Sequence, residues 1–300
     1  MKTRNRPITI LVKTFALSLF VWLMIFGCGD DSDSSPGQSD TDTDTDTDAD
    51  TDTDADSDGG YPDASTDMVF GHVAVTMFDA IPQNYFDQVR DNYRIYYGHT
   101  SHGSQIVTGV DMLAGENPAL YASPDFTEPG GDLGHEGDLT WETDTRAFLD
   151  NQSNSDINVV MWSWCGGVSD NTEEGINIYL DAMNQLEQDY PDRIFIYMTG
   201  HLDGTGEDGT LRIRNRQIRR YCEDNNKILF DFEDIESWDP DGNYYPDESD
   251  GCEWCDAWCA SHDCPNCGEC AHSHCFNCYQ KGKAFWTMMA LLTGWDGTAE

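Results

Sequence analysis

Residues 157–204 decide the fold of this chain. Two runs in this segment, "INVVMWSWCGG" (157–167) and "RIFIYMTGHLDG" (193–204), are rich in apolar residues and end in polar sequence that contains glycine. Such runs are typical of strands that are buried on both faces. The segment between them, "TEEGINIYLDAMNQLEQDYP" (172–191), has apolar residues at helical spacing and ends at a proline. A strand, a helix and a second strand with short connections predict a crossover between parallel strands.

The same alternation extends to both sides of this segment. Residues 211–227 predict a helix, and "ILFDFEDI" (228–235) predicts a third strand. Toward the N terminus, residues 82–92 predict a helix, residues 93–97 a strand and residues 141–151 a further helix. We therefore expect an α/β fold, a three-layer α/β/α sandwich around a mainly parallel sheet. Functional groups in such sheets gather beyond the carboxyl ends of the strands.

The first 67 residues predict export and a spacer. Basic residues precede "TFALSLFVWLMIF" (14–26), an apolar run that is too short for a comfortable membrane span. It ends in "IFGC", which resembles the lipobox of bacterial lipoproteins and implies a signal peptide over residues 1–28 with an acylated Cys28. An uncleaved anchor helix is the alternative. Residues 29–67 are rich in Asp and Thr and predict a disordered linker, which leaves residues 68–300 as one domain at the cell surface.

The charge of the chain narrows the classes of partner. Asp and Glu number 56 against 16 Lys and Arg, which gives a formal net charge of −40. Residues 68–300 hold 41 of the acidic and 12 of the basic residues. This excess of negative charge argues against nucleic acid or an anionic membrane surface as a partner, so we expect membrane attachment through the lipid anchor only.

A serine lies shortly after the predicted strand over residues 93–97. In "YYGHTSHGSQI" (96–106), Ser101 stands between Gly98 and Gly103. A serine in this place can project into a cleft at the sheet edge, where backbone N–H groups of the next turn can face an oxyanion. The alternative is that Thr100 or Ser101 caps the following helix.

A nucleophilic serine needs a base, and the late segment "GECAHSHCFNCYQKGKAFWTMMALL" (268–292) offers one. Glu269 stands three residues before His272, just ahead of a predicted C-terminal helix. A carboxylate and an imidazole at this spacing can form a hydrogen bond that fixes the tautomer and leaves the other ring nitrogen free to accept a proton.

The order of these segments resembles that of the SGNH (GDSL-type) hydrolases. A serine follows the first strand, a buried strand ending in glycines comes later, and an acid-x-x-His segment precedes the last helix. The resemblance covers about residues 90–295, and "GHTS" (98–101) is similar to a Gly-His-x-Ser variant of that family. It implies a flavodoxin-like sheet and ester hydrolysis in which Ser101 is the nucleophile, His272 the base and Glu269 the orienting acid.

The chain departs from the family pattern at two places. The triad aspartate is replaced by Glu269, and "WCGGVSD" (164–170) lacks the asparagine that the family uses as an oxyanion donor. The resemblance leaves that role to backbone N–H groups at three glycines, namely Gly134, Gly166 and Gly167. Candidates for substrate binding are the histidines near the predicted strand ends, with structural roles as the alternative: His99, His102 and His201.

Eight of the eleven cysteines fall within residues 252–278. Export favours disulfides, and eight cysteines allow on the order of a hundred pairings, so the spacing names no pairs. The alternative is a zinc site drawn from Cys252, Cys255, Cys264, Cys267, His262 and His274. Outside this segment, Cys165 and Cys222 either pair with each other or remain buried thiols.

The sequence therefore predicts a surface-anchored serine esterase that needs no cofactor. The resemblance to family members that act on carbohydrates suggests O-acetylated polysaccharide as the ester substrate. The competing interpretation is a non-catalytic surface binding protein, in which residues 252–278 hold a metal or form a rigid, disulfide-bonded knob.

Overall fold

A computed structural model describes residues 68–299 of the protein. The predicted signal peptide with Cys28 and the predicted linker over residues 29–67 lie outside the described residues.

The described residues form one parallel six-stranded sheet. Its strands are β1 (Val69–Phe70), β2 (Arg94–Gly98), β3 (Asp125–Thr127), β4 (Val159–Trp162), β5 (Ile194–Met198) and β6 (Ile228–Phe230). They lie in the order β1-β6-β5-β4-β2-β3, and every pair is parallel. Without the short edge strand β1, this is the strand order of flavodoxin-like folds. The predicted fold class is confirmed.

Helices cover both faces of the sheet. They are α1 (His72–Met77), α2 (Gln83–Asn92), α3 (Ser104–Glu116), α4 (Thr140–Leu149), α5 (Glu173–Asp189), α6 (Thr210–Asp224), α7 (Phe232–Ser237), α8 (Glu253–Cys259) and α9 (Cys275–Leu292). Among residues 68–299, no helix combines the length and the apolar character needed to cross a membrane.

One predicted element was wrong in its second half. The strand expected over residues 228–235 ends at Phe230, and the chain then turns into α7. The cause is Asp231, whose carboxylate accepts the backbone N–H of Asp234 and so caps the new helix.

The strands alternate their side chains between two apolar cores. Ile95 and Tyr97 of β2 face the core that includes α1, α2, α3 and α9, whereas Tyr96 faces the core that includes α4, α5 and α6. Both cores contain residues that are fully buried, such as Val159 on one face and Val160 on the other. This division produces the three layers that the sequence predicts.

Two glycines allow α3 and α9 to touch backbone to backbone. A Cβ at Gly109 would lie well under 3.0 Å from the carbonyl oxygen of Cys278, and a Cβ at Gly282 would also lie under 3.0 Å from the backbone of Gly109. A side chain at either position would force the helices apart. The contact sets the separation of the two helices, which begin three residues after Ser101 and three residues after His272.

We expect Gly109→Ala to lower the free energy of unfolding by about 1–3 kcal/mol because it overpacks this contact. The matched control is Gly115→Ala in the same helix, where a Cβ meets nothing within 4 Å. That substitution should raise the free energy of unfolding by about 0.5–1 kcal/mol through helix propensity. Denaturant unfolding of the oxidised protein measures both changes, and equal effects of the two substitutions would contradict the close contact.

Candidate active site

Ser101 lies in the turn between β2 and α3, at the carboxyl edge of the sheet. Helix α3 begins at Ser104 with Gly103 as its N-cap residue, and no side chain caps it. The Thr100 hydroxyl donates instead to Asp132 at 2.7 Å. The capping alternative for Thr100 and Ser101 was therefore wrong, and the Ser101 hydroxyl remains available for another partner.

His272 is that partner. Its Nε2 lies 2.8 Å from Ser101 Oγ, although 171 positions separate the two residues. His272 has a left-handed backbone conformation, with φ of +60°, in a tight turn that an isolated bridge between Cys270 and Ser273 closes. A non-glycine residue in this region of φ is uncommon, and it is maintained only where the surroundings fix it. The residues predicted as nucleophile and base thus lie at hydrogen-bond distance.

Glu269 does not join this pair in the structure. Its side chain is exposed, and within residues 68–299 no hydrogen bond connects it to His272. The carboxylate near the base belongs to Asp250, of which one oxygen lies within 4.8 Å of a His272 ring nitrogen. Sequence reasoning missed Asp250 because it stands in an acidic loop, "PDESDGC" (246–252), where no spacing distinguishes one carboxylate from the next.

Three histidine rings stack beside Ser101. His102 lies between His201, at a centroid distance of 3.8 Å, and His272, at 4.3 Å, and the three rings are nearly parallel. His102 Nε2 also forms a hydrogen bond of 2.8 Å with Asp250 Oδ2. His99, the remaining candidate in this turn, lies apart from the stack and contacts Glu128 at 2.9 Å.

Burial and charge set the protonation of this cluster. Burial lowers the pKa of His102 and outweighs the hydrogen bond to Asp250, which acts in the opposite direction. For Asp250, burial alone would raise the pKa, but the hydrogen bond from His102 and the nearby His201 and His272 lower it overall. Near neutral pH, His102 is therefore neutral and the carboxylate of Asp250 is ionised.

The three glycines predicted as oxyanion donors differ in availability. The N–H of Gly134 donates to Asp132 Oδ1 at 2.8 Å, so it is occupied. Gly166 and Gly167 lie in the turn after β4, and neither backbone N–H donates a hydrogen bond to any group among the described residues. The same holds for the N–H groups of residues 101–103, which sequence reasoning did not include. These lie at the start of α3, where the helix dipole favours negative charge.

The Cys-rich segment is held by four disulfides, so the disulfide prediction is confirmed. The pairs are Cys252–Cys255, Cys259–Cys264, Cys267–Cys275 and Cys270–Cys278. The last two tie the turn that contains His272 to the first turns of α9. Cys222 is a buried free thiol, which excludes its pairing with Cys165.

The alternative zinc site finds no thiolates in this arrangement, because all four of its cysteines are in disulfides. Its histidines contact carboxylates, His262 with Asp241 and His274 with Asp256, at 3.3 Å each.

A different group could hold a metal ion: His102, Asp250 and His272 offer ligand atoms within 4.8 Å of one another. The rings of His102 and His272 stack at an interplanar angle of 12°, however. Since a ring nitrogen binds metal in the plane of its ring, nearly parallel rings do not converge on one ion unless they rotate.

Comparisons with known proteins add little to this geometry. No family model and no curated protein matches the chain. One solved structure, a protein of Bacteroides fragilis described as a "putative acylhydrolase", is similar at a TM-score of 0.32 and 12% sequence identity. The alignment covers 56% of this chain and 84% of that one. A likeness this loose carries no argument about function.

We expect His102 to make stability depend on pH. The pKa of His102 is lower in the fold than the value of about 6.5 in an unfolded chain, so the unfolded state binds more protons as the pH falls below that value. The free energy of unfolding should therefore decrease from pH 7.5 to pH 5, and less steeply in His102→Gln. Denaturant unfolding across this range measures both slopes. Identical slopes would contradict a buried, neutral His102.

Proposed function

We propose that this protein is a serine-dependent ester hydrolase. The observation that carries the proposal is the distance of 2.8 Å between Ser101 Oγ and His272 Nε2 at the carboxyl edge of a parallel sheet. Serine hydrolases hold the nucleophilic hydroxyl and the imidazole of the general base at this distance.

The reaction divides into two halves. Ser101 Oγ attacks the ester carbonyl while His272 accepts the hydroxyl proton, and free backbone N–H groups stabilise the oxyanion. The tetrahedral intermediate then collapses, His272 gives its proton to the leaving alkoxide, and an acyl-Ser101 ester remains. In the second half, water attacks this ester while His272 accepts a proton. The carboxylic acid leaves as that proton returns to Ser101.

Each protonation of His272 places a positive charge on its ring. We assign the stabilisation of that charge to Asp250, which lies within 4.8 Å and is ionised. Glu269, which the family resemblance suggests for this role, is exposed and would have to rotate toward the ring. His102 bridges the two groups, since it stacks on His272 and shares a hydrogen bond with Asp250.

The location and substrate belong to the same proposal. A signal peptide, a lipid on Cys28 and an acidic spacer would hold the hydrolase at the surface of a bacterial cell, without contact to nucleic acid. O-acetylated polysaccharide is the ester that such an enzyme would meet there, and the mechanism requires no cofactor. These points rest on the sequence and on the family resemblance.

We expect the full-length protein to hydrolyse a chromogenic acetyl ester and Ser101→Ala to lower kcat by a factor of about 10³ or more. Ser123→Ala, which removes an exposed hydroxyl bonded to Asp111, serves as the control and should keep full activity. Chelation should leave the wild-type rate unchanged. Activity that survives in Ser101→Ala but disappears on chelation would replace the serine mechanism with metal-dependent hydrolysis through His102, Asp250 and His272.

We expect Asp250→Asn to lower kcat more strongly than Glu269→Gln, by about tenfold or more, because only Asp250 lies beside the His272 ring. Both substitutions keep the size of the side chain and remove one negative charge. Steady-state kinetics with the same ester measures the difference. A larger loss in Glu269→Gln would return the orienting role to the acid that the family resemblance suggests.

A further inference from the structure

A network of buried polar side chains lies directly beneath Ser101 and His272. Its members are Gln105 of α3, Glu236 of α7, and Asn277 and Lys281 of α9, each at most 1% exposed. We call these four residues the buried polar network. Burying polar groups this deeply costs free energy unless they form hydrogen bonds, so the partners of each group matter.

One arm of the network reaches the residue before His272. Lys281 Nζ donates to Glu236 Oε1 at 2.7 Å and to Gln105 Oε1 at 2.5 Å. The amide of Gln105 is thereby oriented so that its Nε2 donates to the carbonyl oxygen of Ala271 at 2.6 Å. Gln105 also belongs to the first turn of α3, four residues after Ser101, and so links the turn that contains Ser101 to the turn that contains His272.

A second arm reaches the residue after His272. Asn277 Nδ2 donates to Ser273 Oγ at 2.8 Å and to Glu236 Oε1 at 3.3 Å. The other oxygen of Glu236 accepts the backbone N–H of Leu202 at 2.7 Å, next to His201. The network thus forms hydrogen bonds with both neighbours of His272, namely Ala271 and Ser273. It also holds Leu202, which follows His201 of the histidine stack.

Stability alone does not explain such a network. Burial raises the pKa of Glu236 and lowers that of Lys281, so the fold works against both charges even though they pair. A buried ion pair can commonly be replaced by apolar residues of the same volume without loss of stability. Apolar residues could not, however, donate to the carbonyl of Ala271 or to Ser273 Oγ. The role of the network is therefore to orient these groups rather than to stabilise the fold.

We propose that Gln105, with Lys281 and Glu236 behind it, is a positioning residue that holds His272 at hydrogen-bond distance from Ser101. The inference rests on the proposed function for its kinetic consequence. The turn at His272 has an uncommon left-handed backbone conformation and little apolar packing of its own, since His272 is exposed. The hydrogen bond from Gln105 and the disulfide Cys270–Cys278 fix this turn from two sides.

The test compares Gln105→Met with Thr287→Val in the full-length protein. Both substitutions remove polar atoms from fully buried positions. Thr287 lies on α9, and its hydroxyl has no hydrogen-bond partner among the described residues. We expect Gln105→Met to lower kcat by about 10–100-fold with little change in KM, since a displaced base costs rate more than affinity. Thr287→Val should keep kcat and KM.

Gln105→Glu is the conservative variant. It keeps the volume and the acceptor for Lys281, and at a pH high enough to ionise it, its second oxygen has no proton to donate to the carbonyl of Ala271. If the hydrogen bond to Ala271 positions His272, Gln105→Glu should lose as much kcat as Gln105→Met. If only the volume at position 105 matters, Gln105→Glu should resemble the wild type, which would overturn the proposal.

A second readout does not depend on turnover. In protein labelled with ¹⁵N-histidine, the ring signals of His272 are identified by their loss in His272→Gln. These signals should move in Gln105→Met and stay in place in Thr287→Val, and unmoved signals in Gln105→Met would overturn the positioning role whatever the activity. A third outcome is that the wild type shows no Ser101-dependent hydrolysis while the His272 signals still move in Gln105→Met. That outcome would count against the proposed function alone.

Discussion

Helices α3 and α9 meet at Gly109 and Gly282 with no side chain between their backbones. Because each helix begins next to one member of the Ser101–His272 pair, the separation of the two helix starts depends on this contact. Glycine is costly within a helix, by about 1 kcal/mol relative to alanine, so two glycines facing each other lower the intrinsic stability of both helices. The close approach that they permit offsets this cost, because a Cβ at either position would collide with the backbone of the facing helix.

Charge is distributed unevenly around that contact. The chain is strongly acidic, yet one basic side chain, Lys281, is completely buried and donates a hydrogen bond to Gln105, four residues after Ser101. On the solvent side, the ionised Asp250 faces three stacked histidine rings. In the proposed reaction His272 alternates between neutral and charged forms, and a nearby carboxylate stabilises the charged form because the attraction is stronger in a partly buried site than in water.

The Cys-rich segment shows how a loop region with few apolar residues can still be rigid. Its own core is small, with Cys252, Trp254, Cys255 and Phe276 as the buried members. Four disulfides within 27 residues compensate by restricting the unfolded chain, and two of them close directly around His272. The turn that contains His272 is therefore fixed covalently on one side and by the buried polar network on the other.

The sequence by itself determined the fold class and four of the six strands, because continuous apolar strands and amphipathic helices leave few ways to bury their faces. The short strands β1 and β3 were not predicted. The sequence also singled out Ser101, which follows a predicted strand, and His272, which stands in an acid-x-x-His segment ahead of the last helix, through the resemblance of this order to the SGNH hydrolases. It failed at Asp231, where a local cap redirected the chain, and at Asp250, which lies 148 positions from His102. Only the tertiary structure decided which carboxylate approaches the histidines and which cysteines pair, because those contacts depend on distances between segments that no local pattern encodes.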